Sequence, residues 1–251
     1  MKKLAIIGAV LFALGVLIAI GGIIAAKGDF SVLDVEAGFF VIDTGVGGNE
    51  ELTERTFSAD GIRSIEMSAL SDDVKIGASN DGLVHFSYWS GRYKDYCIDM
   101  GTDTLTLREN VTKDFRIGFS LNHGTSTLLI PEKILQELKV STVSGNVDIV
   151  AFCKALSIGT TSGKISLEGA SEILTVKTVS GNVTLRGFDA KSARIGTVSG
   201  NISGTLAGSV NDYSVRLQTV SGTKNLKEKE TGERRLELST VSGNMEIGFT
   251  E

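Results

Sequence analysis

The side chains able to do chemistry are few and poorly grouped for it. His85 and His123 are the two histidines, and neither has a second His, Cys or carboxylate at a metal-ligand spacing, so both read as satisfied or solvent-facing residues. Cys97 and Cys153 are the two cysteines. Outside the cytoplasm they could form one disulfide, and equally they could be two buried apolar thiols. Asp72-Asp73 and Asn49-Glu50-Glu51 read as turn and solvated residues rather than a cation site.

Serine behaves differently, because it recurs in one hexapeptide: Thr142-Val143-Ser144-Gly145-Asn146-Val147, then the copies at 160–165, 178–183, 197–202, 219–224 and 240–245. None of these serines sits in Gly-x-Ser-x-Gly, and a nucleophile is needed once rather than six times. No catalytic, cofactor-binding or metal-ligating residue is therefore assigned, and no cofactor is expected. The repeated residues are expected to be structural corners: Ser144-Gly145-Asn146, Ser162-Gly163, Ser180-Gly181-Asn182, Ser199-Gly200-Asn201, Ser221-Gly222 and Ser242-Gly243-Asn244, with Ser71 in a diverged upstream copy. Stacked Asn oxygens could bind calcium, yet the Gly-Gly-x-Gly-x-Asp nonapeptide of calcium-binding β-rolls is absent, which favours a hydrogen-bonded Asn ladder.

The elements that would position these corners follow from spacing. Successive serines are 18, 18, 19, 22 and 21 residues apart, too short for a two-helix repeat and right for one coil of a β-solenoid. Apolar residues lie six and four positions before the serine (Leu138 and Val140, Leu156 and Ile158, Leu174 and Val176, Val215 and Leu217, Leu236 and Leu238) and three and five after it (Val147 and Ile149, Ile165 and Leu167, Val183 and Leu185, Met245 and Ile247). The phase slips by one at the serine, which requires a bend there, and the glycines are expected to tolerate backbone angles that a Cβ resists. Six coils at roughly 4.8 Å make a stack about 24 Å long. The valines between Thr and Ser (Val143, Val179, Val198, Val220, Val241) leave two choices. Strict alternation points them outward, whereas a small bulge would turn them into the core and put the hydroxyls outside. An exposed valine ladder is an association hazard, so valine inside is the expectation.

Ile65 to Ile76 repeats the pattern around Ser71, and alternating segments at 84–89, 96–100, 105–107, 115–119 and 128–130 extend strands upstream. Glu132 to Leu138 could make one or two helical turns. Between the fifth and sixth copies, the charge-dense segment Lys224 to Arg235 reads as a solvated hairpin beside an otherwise uncapped end. The other strong signal is Leu4 to Ala26, 23 uncharged residues after Lys2 and Lys3, long enough to cross a bilayer and without a convincing cleavage site. The domain organisation is thus residues 1–27 as a signal anchor with its N-terminus cytoplasmic, 28–50 as a juxtamembrane linker, 51–130 as an irregular β region capping the stack, and 131–251 as the regular solenoid. The expected fold class is all-β, a single-stacked β-solenoid preceded by one transmembrane helix. Of 25 Lys+Arg and 30 Asp+Glu, residues 28–251 carry 22 and 30, net −8, which disfavours nucleic acid as a partner.

The Ser71-Asp72-Asp73-Val74-Lys75-Ile76 segment, Leu128-Leu129-Ile130-Pro131 leading into Leu138 to Val147, and the further Thr-Val-Ser-Gly-Asn copies together resemble the putative adhesin family of bacterial β-strand-repeat proteins, a domain of unknown function. The resemblance covers most of residues 51–250. That family includes proteins similar to the Lia-type envelope-stress components of Gram-positive bacteria. The resemblance implies a non-catalytic extracytoplasmic binding protein whose partner is a cell-envelope polymer or protein. The alternatives are an accessory sensor of envelope stress and a polysaccharide-acting β-helix enzyme.

Overall fold

The computed structural model describes residues 50–91, 94–111, 124–131 and 135–250; the expected membrane segment 4–26, the strand expected at 115–119 and His123 lie outside them. Among the described residues no helix is long and apolar enough to cross a membrane. The described residues form fifteen strands of one continuous hydrogen-bonded sheet: β1 (Glu51–Ser58), β2 (Ser64–Ala69), β3 (Asp73–Ser79), β4 (Leu83–Ser90), β5 (Lys94–Met100), β6 (Thr104–Val111), β7 (Thr125–Pro131), β8 (Leu135–Ser144), β9 (Val147–Ser162), β10 (Ile165–Ser180), β11 (Val183–Ser199), β12 (Ile202–Ala207), β13 (Tyr213–Ser221), β14 (Arg234–Ser242) and β15 (Met245–Thr250). Residues 135–138 begin β8 rather than a helical turn.

Each coil gives one strand segment before its Ser-Gly corner and one after it. The segments before the corners stack in the order β5-β6-β2-β8-β9-β10-β11-β14-β13, and those after the corners in the order β1-β4-β7-β3-β9-β10-β11-β12-β15. The regular layers pair in parallel, so like residues align. One interior column runs Leu105, Ile65, Leu138, Leu156, Leu174, Ala193, Leu236, Val215. The facing column runs Val74, Val147, Ile165, Val183, Ile202, Met245. All of these residues are buried in a single core. Burial of alternate apolar residues on both sides of each corner is what drives this folding. Residues 64–79 form a true first coil, and β1, β4, β5, β6 and β7 build onto it.

The last two coils do not stack in chain order. β14 inserts between β11 and β13, and β15 pairs with β12, so the sixth coil lies fourth-coil side of the fifth. After β12 a short 3-10 turn at Val210–Asp212, held by a Ser209/Asp212 capping box, carries the chain outward by one layer. Arg234 fixes the vacancy: its Nη1 donates to Asp189 Oδ1 at 2.6 Å and lies 3.1 Å from the Tyr213 hydroxyl, tying β11 to β13 across the strand it begins. The chain terminus is therefore not an open coil. Segment 224–235 does not project as a hairpin either. Lys229 pairs with Val215 through two backbone hydrogen bonds (2.6 and 2.9 Å), Glu228 accepts from the Leu217 amide, and the Asn225 side chain bonds both the amide and the carbonyl of Ile247 (3.0 and 2.9 Å). Both outer edges are thus covered, the arrangement that suppresses edge-to-edge association. Replacing Lys227 to Thr231 by a short Gly-Asn turn should make the whole chain, in mild detergent, self-associate with rising concentration in sedimentation velocity. A variant as monomeric as the parent would deny the segment this role.

Candidate functional site

The six corner serines form one row in the order Ser144, Ser162, Ser180, Ser199, Ser242, Ser221, each in direct register with the next. All six are exposed. Beside them Val143, Val198 and Val241 are half-buried, Val220 is 62% exposed and Val179 is buried, while Thr142, Thr160, Thr178, Thr197 and Thr240 are buried. The expectation of inward valines thus fails at four of the five positions. No bulge interrupts the register here, and alternation runs through the buried threonine and ends at the exposed serine.

The corner glycines meet the expectation of special backbone angles at three of six positions: Gly163, Gly222 and Gly243 have positive φ (135°, 152° and 157°), whereas Gly145, Gly181 and Gly200 do not. What they share is close approach. A Cβ on Gly181 would overlap the carbonyl oxygen of Gly163, one on Gly163 that of Gly145, one on Gly200 that of Gly181, one on Gly243 that of Gly200, and one on Gly222 that of Gly243. The asparagines form the ladder. Asn182 Oδ1 accepts from the Asn201 amide (2.9 Å), Asn201 from Asn244 (2.8 Å) and Asn244 from Thr223 (2.9 Å), while Asn146 accepts from Lys164 (3.0 Å) and donates its amide to Asp73 (2.7 Å). The Asn oxygens are consumed holding neighbouring coils together. Among the described residues no group of three or more His, Cys, Asp or Glu is placed to hold a metal.

The first corner departs from the others. Ser71 is partly buried, and Glu109 of β6 accepts from its amide and from that of Leu70 (3.2 and 2.5 Å), standing in for the carbonyls of a missing coil. Asp72, expected in solvent, is fully buried: Lys94 Nζ pairs with its Oδ1, and Ser126 and Tyr96 donate to Oδ2 at 2.6 and 3.3 Å. Burial, with the Glu109 and Asp72 charges, drives the Tyr96 phenol far above its ordinary range. Ser126 is itself fully buried, so this nucleophile-like cluster has no access to substrate and serves as a satisfied polar joint between β3, β5 and β7. Only Asp72 in it was visible as a turn residue in the sequence; its partners lie 22 to 54 residues away.

His85 is solvent-facing, with Nε2 2.7 Å from Asp81 Oδ2 and Nδ1 3.3 Å from Thr56 Oγ1. The two cysteines are free and unlike each other: Cys97 is exposed and Cys153 buried, with burial pushing its thiol up to about 12. A thiolate-directed reagent at pH 8 should label one thiol per native chain and the second only on unfolding. Two equivalents in the native state, read by intact mass, would contradict this burial.

The row's chemistry is that of a rigid comb: hydroxyls that donate and accept, one per strand spacing of about 4.8 Å, flanked by methyl groups. Comparisons agree on the architecture. No curated protein matches the sequence. Among solved structures, a putative cell adhesion protein from Clostridium sporogenes ATCC 15579 superposes with a TM-score of 0.50 at 11% identity, covering 80% of this chain and all of that one. A putative adhesin from Bacteroides fragilis NCTC 9343 gives 0.50 at 16% identity, covering 81% and 100%. The Toastrack DUF4097 family model matches residues 62–251, from the residues just before β2 to the end of the sequence. The chain belongs to the Toastrack DUF4097 family.

Proposed function

We propose that this protein is a non-catalytic binding module of the bacterial cell envelope, anchored by residues 4–26 with the β domain outside the cytoplasmic membrane, and that the corner row is its binding face. The observation that carries this reading is the row itself: six exposed serines in unbroken register on a backbone cross-linked by the Asn ladder. Equally spaced weak donors and acceptors suit a ligand that repeats, because each contact made places the next within reach. A rigid row loses little entropy on binding. The similar folds described as adhesins from Clostridium sporogenes and Bacteroides fragilis accord with an envelope partner. The nearest thing to a catalytic cluster is sealed in the core, which supports binding over turnover.

The test uses isolated cell-wall sacculi as the polymer. Whole chain in mild detergent should co-sediment with them, and the triple variant Ser162→Arg, Ser180→Arg, Ser199→Arg should bind at least ten-fold more weakly at an unchanged melting temperature. Equal retention of variant and parent would remove the row from the mechanism, and no retention of the parent would remove the polymer.

A further inference from the structure

The two ends of the stack are treated unequally. At the C-terminal end both outer strands are covered by residues 223–229. At the other end β1 is outermost on its side, antiparallel to β4, and among the described residues nothing pairs with its free edge. β1 is the third strand above β3, whereas the facing side has only β6 and β5 above β2, so among the described residues no strand lies opposite the inward-pointing residues of β1. Phe57 on that face packs half-exposed against the core, and Arg55 is exposed. Of the usual protections the edge has charge, in Glu51, Glu54 and the inward-pointing Arg55, but no bulge and no Pro or Lys. Its register with β4 is continuous through all eight residues of Glu-Leu-Thr-Glu-Arg-Thr-Phe-Ser.

We propose that the free edge of β1 is a strand-docking site whose occupant is residues 38–44 of the same chain. Gly38-Phe39-Phe40-Val41-Ile42-Asp43-Thr44 is the strongest run of strand formers between residue 28 and β1. Gly45-Val46-Gly47-Gly48-Asn49-Glu50 follows, a turn composition of the length that returns the chain antiparallel. That return sets Thr44 opposite Glu51, Ile42 opposite Thr53 and Phe40 opposite Arg55. Opposed residues of an antiparallel pair share a face. Ile42 and Phe40 therefore fall on the inward face beside Phe57, where no described strand lies opposite, with the Phe40 ring next to the Arg55 guanidinium. Asp43 falls on the outward face with Leu52. Docking also consumes linker: on the anchored reading, residues 27–37 rather than 27–50 join membrane to domain, a fully extended reach of roughly 40 Å instead of roughly 80 Å. Release of the strand would let the binding face stand off further from the bilayer.

Hydrogen exchange of the whole chain in detergent micelles, read by mass spectrometry on peptides from β1, tests the assignment. Val41→Pro, which removes a ladder amide, and deletion of residues 38–44 should each make the edge amides of β1 exchange at least ten-fold faster, with β9 to β11 unchanged. Identical β1 exchange in parent and both variants would overturn the proposal. So would protection of β1 that disappears on dilution of the parent, since it would assign the occupant to a second copy. Sacculus binding by the deletion variant should persist, which separates failure here from failure of the corner row.

Discussion

Val183→Asp is expected to destabilise the domain by more than about 4 kcal/mol, because it places a carboxylate in the closed interior column between Ile165 and Ile202 with no polar partner. Thr184→Asp, one residue on, points outward from the same strand between Ser166 and Ser203 and should stay within about 1 kcal/mol of the parent. For a domain of this size, a difference of 3 kcal/mol corresponds to melting temperatures separated by about 6 to 12 °C. Equal melting of the two variants would break the phase assignment on which every coil rests.

Gly181→Ala should cost about 2 to 3 kcal/mol. The new methyl has no room, since the Gly163 carbonyl of the coil beneath occupies its place and both backbones are held in register on either side of the corner. The effect is one of approach, not of dihedral angle, and Gly187 provides the contrast. That glycine has φ of 60° and open space around it, so Gly187→Asn should be nearly neutral, Asn being at ease in the left-handed region. A Gly181→Ala protein as stable as the parent would mean that the coils do not close against each other at the corner.

These two residues also show how much could be read in advance. The position of Val183 in the core follows from the serine spacing and the period of two, as does every interior residue from Leu138 to Ile247 in the pairs flanking the corners. That Gly181 is a corner followed too, but the reason for glycine did not, because it lies in contact between coils and not in the local dihedral preferences that a sequence expresses. The valine ladder failed for a related reason: the register sets Val198 between Val179 and Val241, 19 and 43 residues away, so outward valines are partly covered by neighbours that the local sequence does not show. Lys94, Ser126 and Glu109 lie outside the alternating segments and Tyr96 reads there only as a strand residue, so their convergence on the first corner had no sequence signal. The exchanged order of the last two layers had only a faint one, the lengthening of the spacing to 22 and 21 residues. Arg234, which holds that exchange in place, looks in the sequence like one more charge in a solvated run.

The serine row, and the binding face proposed on it, depends on that layer order, and paired cysteines test it most directly. In a background with Cys97→Ser and Cys153→Ala, adjacent layers bring Cα atoms to within disulfide range, while alternate layers at about 9.6 Å do not. Ser199→Cys with Ser242→Cys, and Ser242→Cys with Ser221→Cys, are predicted to oxidise to intramolecular disulfides, and Ser199→Cys with Ser221→Cys to remain reduced. A rapid disulfide between positions 199 and 221, with none between 199 and 242, would put the coils back in chain order and contradict the row.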